Sequence, residues 1–533
     1  MKRRPITWTA PLALALSLTG CGDPATPSAT STAAARSPAH GGVLKVALDG
    51  DPLCIDPHQA GNNTALNVGR QLTDSLTDQD PASAEIVPWL AERWEVSADS
   101  RSFTFHLRDG VTFSDGSALD AAAVKANFEA IVALGARASL AGTYLSGLEG
   151  IEVQDPRTLT LRFKQPNAQF LQATSTMSLG FFAQSTLQRS SEERCQGALV
   201  GSGPFVLDKF THNQSVRLSH RKDYAWPSSL AEHSGRAWLD GIEFLIIPES
   251  GVRLGSLLSR QIDVNTGVAV QDEAILEAQQ IPFIARPNPG IVFNLAPNES
   301  RPRLKELAVR QALNKAINRD ELQGIISRYQ KPATSALASS TPLYRDFSAQ
   351  LRHDPEGAAA LLDGAGWQLG ADGIRARAGE RLSFRVDYWQ ASTPVLELIQ
   401  QQLRQVGIEL RLNKTTISQV SAQQTEGDYD LWFFNLTRAD PDVLRTVFLN
   451  SGRNVNRRDA SEVDQALQAS STLLDPSQRR TLVERANQLL IEQGHLLPLY
   501  EAATVTAFGK QVNGLHYEAS TRLQFFDTWL EAQ

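Results

Sequence analysis

Cysteine is scarce in this chain: its 533 residues include three cysteines, and no two stand at the short spacing of a zinc site. The nine histidines form no H-E-x-x-H sequence, and no G-x-S-x-G sequence is present. These absences remove the usual signs of a zinc protease or a serine hydrolase. No pair of carboxylates can be assigned to one cleft either. We therefore expect a non-catalytic protein that has no cofactor and no metal ligands.

Long apolar runs and basic clusters are also missing from the body of the chain. Beyond the first 20 residues, no apolar stretch reaches the length of a transmembrane helix. The formal net charge is −7, and no basic run offsets it, which argues against a nucleic-acid partner. The chain is too long for a single core, so two or three domains are expected. We expect a monomer, held at a membrane only through its N-terminus.

The N-terminus carries a recognisable export signal. Lys2-Arg3-Arg4 is followed by an apolar stretch over 6–18 and then by Leu18-Thr19-Gly20-Cys21, which resembles a bacterial lipobox. This pattern predicts a lipoprotein signal peptide over 1–20, lipidation of the Cys21 thiol, and a flexible tether over 21–41. The protein is then expected outside the cytoplasm, in the periplasm or at the cell surface.

Cys54 and Cys195 are the two cysteines that remain in the body of the chain. An oxidising compartment allows such a pair to form a disulfide. Sequence alone does not show whether their Cα atoms lie close enough, so the pairing is left open.

The stretch 86–124 is the most informative part of the sequence. Its first residues, ending at Trp94, suggest a helical turn, and Phe103, Phe105 and Leu107 alternate with polar residues as in a half-buried strand. Asp109-Gly110 suggests a hairpin turn to a second short strand. Asp120 is a candidate N-cap for a helix with an apolar face.

The same stretch resembles the peptide/nickel class (family 5) of bacterial extracellular solute-binding proteins, which serve ABC importers. The family pattern P-x-L-A-x-x-W, followed by F-x-L-R-x-G-V-x-F-x-D-G-x-x-x-x-A-x-x-V, is matched by Pro88, Leu90, Ala91, Trp94, Phe105, Leu107, Arg108, Gly110, Val111, Phe113, Asp115, Gly116, Ala121 and Val124. Later matches include a helix over 304–326 and the Asp354-Pro355 start of another helix. The resemblance extends from Gly42 almost to the C-terminus.

The resemblance implies an α/β fold: a type II periplasmic-binding-protein-like clamp of two lobes with an extra inserted small domain (cluster C). The segment 287–294, with two prolines and a glycine before an apolar strand, has the composition of a crossing between lobes. The implied division is lobe 1 over 42–76, 197–290 and 501–533, the small domain over 77–196, and lobe 2 over 291–500.

The resemblance also implies a function. The lobes would close on a peptide-like or carboxylate-rich small ligand, a class that includes metal chelates such as a nickel complex, and deliver it to an ABC permease with its ATPase subunits. Two alternatives stay open. The protein could be a conventional di- or oligopeptide-binding receptor, or a peptide-sensing signalling lipoprotein that is not coupled to import.

Ligand preference is expected to depend on the loop after Phe434. Peptide-binding relatives place an aspartate three residues before the position of Asp440, where it pairs with the α-amino group of the ligand. Thr437 stands there in this chain and carries no charge. Arg438 beside it would repel an ammonium group and attract a carboxylate. The sequence therefore predicts an anionic or zwitterionic ligand.

Three further residues are assigned to the ligand site by the resemblance. Arg137 matches an arginine with which nickel-chelate relatives hold ligand carboxylates. Asn435 falls where those relatives have an aromatic wall, and Arg453 falls near their metal-binding histidine. The pocket is therefore expected to be cationic and to lack a direct metal ligand.

Overall fold

A computed structural model describes residues 37–138, 140–389 and 393–531. The predicted signal peptide, Cys21 and most of the tether lie outside the described residues. Within the described ranges, no helix combines the length and the apolar character needed to span a bilayer.

The first of two large sheets has seven strands. Its central strand, Val43–Leu48, runs parallel to both neighbours, while the outer strands pair antiparallel. In spatial order the strands are Phe283–Pro287, Ala503–Phe508, Val264–Asn265, Val43–Leu48, Gly241–Ile246, Ser215–His220 and Phe205–Thr211. We call this sheet and the helices packed on it lobe 1.

The second sheet has six strands and forms lobe 2. Its strands, in spatial order, are Lys331–Pro332, Leu497–Glu501, Gly290–Pro297, Leu431–Thr437, Ser383–Tyr388 and Glu409–Lys414. Helices cover it: Pro302–Lys305, Leu307–Ala316, Pro355–Gly364, Thr393–Gln405, Ile417–Glu426, Val443–Phe448, Glu462–Ala469 and Pro476–Glu492. Asp354 caps its helix as predicted, since its carboxylate accepts the Gly357 N–H at 2.8 Å.

The chain passes between the two large sheets twice, and the two passages are neighbours. The first lies within the predicted 287–294 segment, and the second lies between Glu501 and Ala503. Asn288 donates its N–H to the Ala502 carbonyl at 2.9 Å, and its side chain accepts the Thr504 hydroxyl at 2.9 Å. The two connections therefore form one hydrogen-bonded hinge.

A four-stranded antiparallel sheet packs on lobe 1. Its order is Ala91–Val96, Ser102–Leu107, Thr158–Phe163 and Leu148–Asp155. The helix Ala121–Leu134 starts where predicted, because Asp120 accepts the Ala123 N–H at 2.9 Å. Its residues Phe128 and Ile131 are buried in a core shared with lobe 1.

Two local predictions in this region are wrong. Ala91–Val96 is a strand, not a helical turn, because it pairs with Ser102–Leu107. Asp109-Gly110 does not join two paired strands, since Ser102–Leu107 pairs with Thr158–Phe163 on its other edge.

In lobe 2, the predicted helix over 304–326 is too long, because its main part ends at Ala316.

The remaining elements are short. The other helices of lobe 1 and the small sheet, including single turns, are Asn63–Leu72, Ala141–Tyr144, Phe170–Ala173, Gln184–Leu187, Ser191–Cys195, Ser250–Leu258 and Glu273–Ala278. The minor strands are Thr77–Gln79, Ile86–Pro88, Gln368–Leu369, Arg375–Arg377, Glu380–Arg381, Val512–Asn513, His516–Tyr517, Leu523–Gln524 and Trp529–Leu530.

Cys54 and Cys195 form a disulfide, which resolves the question that the sequence left open.

Candidate functional site: a cavity between the lobes

A cavity of ≈ 170 Å³ lies at the junction of the two lobes. One wall comes from Arg286 of lobe 1, from Pro287 and Pro289 at the hinge, and from the minor two-stranded sheet and its turn, through Gln79, Asp80, Pro81 and Ala84. The other wall comes from lobe 2, through Ser340, Pro342 and Ala439, and Ala519 of the C-terminal segment completes the lining. A clamp with this connectivity brings both lobes into contact with whatever occupies the cavity.

Arg438 is placed at this junction by the strand that precedes it. The strand Leu431–Thr437 pairs with Gly290–Pro297, and the Arg438 N–H donates to the Pro289 carbonyl at 3.0 Å. Gly290 allows this approach: its φ is +110°, and a Cβ there would collide with the Leu436 carbonyl oxygen. The loop is therefore held directly against the hinge.

The Arg438 side chain bridges the two lobes. Its guanidinium donates to the Thr446 hydroxyl of lobe 2 at 2.9 Å. It also donates to the Thr143 hydroxyl at 3.1 Å and lies over the Tyr144 ring, 4.3 Å from the centroid. Both residues belong to the small-sheet region on lobe 1. Arg438 is 1% exposed, so these contacts replace its solvent.

Arg438 has hydrogen-bond donors to spare. Its Nε is buried and has no partner. Across the described part of the chain, no ion pair joins Arg438 to a carboxylate. A buried guanidinium without an ion pair is costly, and the nearby Asp440 carboxylate acts on Arg438 only through its field.

Asp440 holds the same loop against the lobe 2 helix Pro476–Glu492. Its two carboxylate oxygens accept from the Arg479 guanidinium at 2.6 and 2.9 Å, and both side chains are buried. Burial alone would raise the pKa of Asp440, but the Arg479 charge and hydrogen bonds outweigh it and hold the pKa below its usual value. Asp440 therefore acts in this structure as an internal partner of Arg479.

Thr437 and Asn435 lie on the strand that leads into the loop, and both are half-buried. Thr437 pairs with Gly290 at the hinge. Thr437 therefore places a neutral side chain between the hinge and Arg438 along the chain.

Arg137 and Arg453 are not brought together with Arg438. The exposed Arg137 guanidinium donates to Ser191 and Glu192. Arg453 lies over the Trp432 ring, 4.9 Å from the centroid. Trp432 and Arg438 are separated by roughly 20 Å along an extended strand. Of the arginines predicted to bind ligand, Arg438 directly precedes a residue that lines this cavity, Ala439, whereas Arg453 lines a different pocket with Gln424 and Arg457.

The structure adds residues that sequence reasoning missed. Buried side-chain atoms without partners occur on Ser520, Thr521 and Arg522, directly after Ala519 of the cavity lining. No sequence pattern marks these residues, because the lack of a partner becomes visible only after the chain has packed. Among the described residues no group of three or more His, Cys, Asp or Glu could hold a metal ion.

Comparison with known proteins places this architecture in a family. The model for "Bacterial extracellular solute-binding proteins, family 5 Middle" matches residues 85–456. A probable di/tripeptide-binding protein from Pseudomonas aeruginosa is 27% identical, over 92% of this chain and 95% of its own length. The nickel-binding periplasmic protein of Escherichia coli is 29% identical, over 70% of this chain and 71% of its own length.

The fold agrees with a solved structure as well. NikA from Brucella suis, in complex with Fe(III)-EDTA, superimposes with a TM-score of 0.79 at 24% identity, covering 92% of this chain and all of NikA (100%). The predicted α/β two-lobed clamp is thereby confirmed. The chain belongs to the family 5 bacterial extracellular solute-binding proteins, the class that the residues of its small sheet had indicated.

Proposed function

We propose that the protein captures a carboxylate-rich small ligand between its lobes and delivers it to the permease of an ABC importer. The observation that carries this proposal is the environment of Arg438. It is a buried cation that contacts both lobes and forms no ion pair with a carboxylate among the described residues. A ligand carboxylate would supply the missing charge.

The electrostatics of the loop favour an anion over a free amino terminus. A guanidinium binds a carboxylate through two parallel hydrogen bonds, which adds geometric selectivity to charge. The neutral Thr437 offers no counter-charge for an ammonium group at the same place. Suitable ligands are a metal chelate with free carboxylates, an opine-like compound or a blocked peptide.

The named relatives are compatible with this ligand class. The Escherichia coli relative is a nickel-binding protein, and the NikA structure contains Fe(III)-EDTA, a chelate that carries carboxylates. The Pseudomonas aeruginosa relative is a probable di/tripeptide-binding protein, so an ordinary peptide ligand is the second candidate.

Location and partners complete the proposal. We place the protein outside the cytoplasm, anchored through lipid on Cys21, with a permease and ATPase subunits as partners. The Cys54–Cys195 disulfide supports an oxidising compartment. The domain boundaries predicted above, with the small domain over 77–196, remain part of this proposal.

The first prediction tests whether Arg438 binds a carboxylate of the ligand. A charge-assisted hydrogen bond to a desolvated carboxylate contributes roughly 1.5–3 kcal/mol. Arg438→Ala should therefore weaken binding about 10- to 150-fold. Calorimetric titration with tri-alanine, glutathione and Fe(III)-EDTA measures this effect and the ligand class together.

Arg217→Ala is the matched control, because that exposed arginine pairs with Glu243 on the lobe 1 sheet and should leave affinity unchanged. Micromolar binding of tri-alanine that is unaffected by Arg438→Ala would refute the carboxylate proposal and favour the peptide receptor. Loss of uptake of the bound compound in cells lacking the gene would support import. Unchanged uptake would favour the signalling alternative.

A further inference from the structure

Three consecutive residues of the C-terminal segment share an unusual property. Ser520, Thr521 and Arg522 are all buried, and each has a side-chain polar atom without a partner: the two hydroxyl oxygens and the Arg522 Nε. Native proteins pair nearly all such atoms, so three in a row call for a group that binds there. Ala519, the preceding residue, lines the cavity between the lobes.

The backbone of this segment is held in a specific shape. Thr521 has φ +64°, a left-handed conformation that a β-branched residue rarely adopts. The Glu518 carboxylate stabilises this conformation by accepting the Ser520 N–H at 3.1 Å and the Arg522 N–H at 2.9 Å. The segment is the turn of a hairpin between His516–Tyr517 and Leu523–Gln524, and a left-handed residue is usual in such a turn.

Arg522 has no counter-charge in contact with it. Its guanidinium donates to the Ser520 carbonyl, and no ion pair joins it to a carboxylate in the described ranges. Glu518 is the acid whose field acts on it most strongly, and the Glu518 oxygens accept backbone N–H groups. Burial lowers the pKa of Arg522, as expected for a cation that lacks solvent and a partner.

The cavity between the lobes links Arg522 to the ligand site described above. Ala519 and Ala439 both line it, so Arg522 lies three residues from one lining residue and Arg438 directly precedes the other. Arg438 comes from lobe 2, and Arg522 follows the lobe 1 strand Ala503–Phe508. Two buried arginines, one from each lobe, thus lie close in sequence to residues that line the same cavity, and neither forms an ion pair with a described carboxylate.

We propose that Ser520, Thr521 and Arg522 form a second anion-binding element of this site, so that the ligand carries two anionic groups. Arg438 binds one group from lobe 2, and Arg522, assisted by the two hydroxyls, binds the other from lobe 1. This inference rests on the proposed function. It adds a requirement for two anionic groups. Ligand binding is then tied to lobe closure, because each lobe supplies the arginine for one of the two groups.

The test uses the full chain and calorimetric titration with paired probes. Glutathione, with two carboxylates, is compared with its monoethyl ester, and propane-1,2,3-tricarboxylate is compared with butyrate. Wild-type protein should bind at least one multiply charged probe, and at least tenfold more tightly than its singly charged counterpart. Arg522→Gln should weaken that binding about 10- to 150-fold and remove the preference. Arg522→Lys should restore part of it, and Arg217→Ala should change nothing.

The outcomes separate this inference from the proposed function. If affinity falls in Arg438→Ala but not in Arg522→Gln, or if singly and doubly charged probes bind equally, the second element is refuted and the first stands. If no carboxylate probe binds wild-type protein, both are refuted. Should Arg522→Gln fail to fold, Thr521→Val decides: it keeps the side-chain shape, removes one hydroxyl, and is expected to weaken binding about 3- to 10-fold. Unchanged affinity in Thr521→Val would then refute the second element.

Discussion

At the scale of single residues, the buried charges of Asp440 and Arg479 stabilise each other as an ion pair. The two side chains are linked by two hydrogen bonds, and this pair fixes the loop that carries Arg438. Breaking a buried ion pair by removing one partner leaves the other charge without compensation, which typically costs about 3–5 kcal/mol. The loop is thus anchored inside lobe 2 independently of any ligand.

Asp440→Asn is therefore expected to lower the free energy of unfolding by about 3–5 kcal/mol at neutral pH. The pKa of Asp440 is lowered in the folded protein, so its stabilisation is present above the unfolded pKa of about 4 and is lost as pH falls through the folded pKa. Urea denaturation of wild type and variant across pH 3–7 measures both effects.

Asp459→Asn is the control for this experiment, because Asp459 is 88% exposed and pairs with Lys305 at the surface. Such a pair contributes only about 0–1 kcal/mol. Equal losses in the two variants would contradict the role assigned to Asp440.

The roles of some single residues could be predicted from the sequence, and those of others could not. Asp120 and Asp354 were predicted as helix caps, because capping depends on a residue and its next few neighbours. Arg438 was selected because its loop has a family counterpart. Arg522 was not selected, since its lack of an ion pair with any described carboxylate is a property of the packed molecule.

At the scale of elements, local patterns predicted strands well and their partners poorly. Ser102–Leu107 was recognised from its alternation, but Ala91–Val96 became a strand only by pairing with it. The helix over 304–326 ends early because Arg319 is buried and its guanidinium donates to the Asn314 and Ile317 carbonyls near the helix end. That interaction depends on the burial of Arg319 within lobe 2.

The disulfide is the element-scale feature with the largest expected effect on stability. It joins the segment after the first strand to the short helix Ser191–Cys195, across a separation of 141 residues. Replacing both Cys54 and Cys195 by serine should lower the free energy of unfolding by about 2–5 kcal/mol. Thermal denaturation with and without dithiothreitol measures this. The reductant should destabilise wild type and leave the double variant unchanged, and an equal response in both would contradict a disulfide in solution.

At the scale of the whole molecule, the proposed lipid anchor and the folded body are separable. Cys21→Ser should move the protein from the membrane fraction to the soluble fraction, because two acyl chains are what gives stable anchoring. Ligand affinity should remain unchanged, since the folded unit begins at Pro38. Fractionation of the native host, followed by immunoblotting, measures the distribution. A variant that stays with the membrane would refute the lipobox assignment.

The hinge has a consequence for how such proteins can diversify. Pro287 and Ala503 are register partners in the lobe 1 sheet, so lobe 2 leaves and returns through adjacent positions of the chain. A short peptide joining these two residues would close lobe 1 without lobe 2. Lobe 2 is therefore encoded by one continuous stretch of the gene, between the codons for Pro287 and Ala503. Exchanging that stretch would replace Arg438 and its loop together. The exchange would leave intact the predicted export signal, the disulfide and the lobe that carries Arg522.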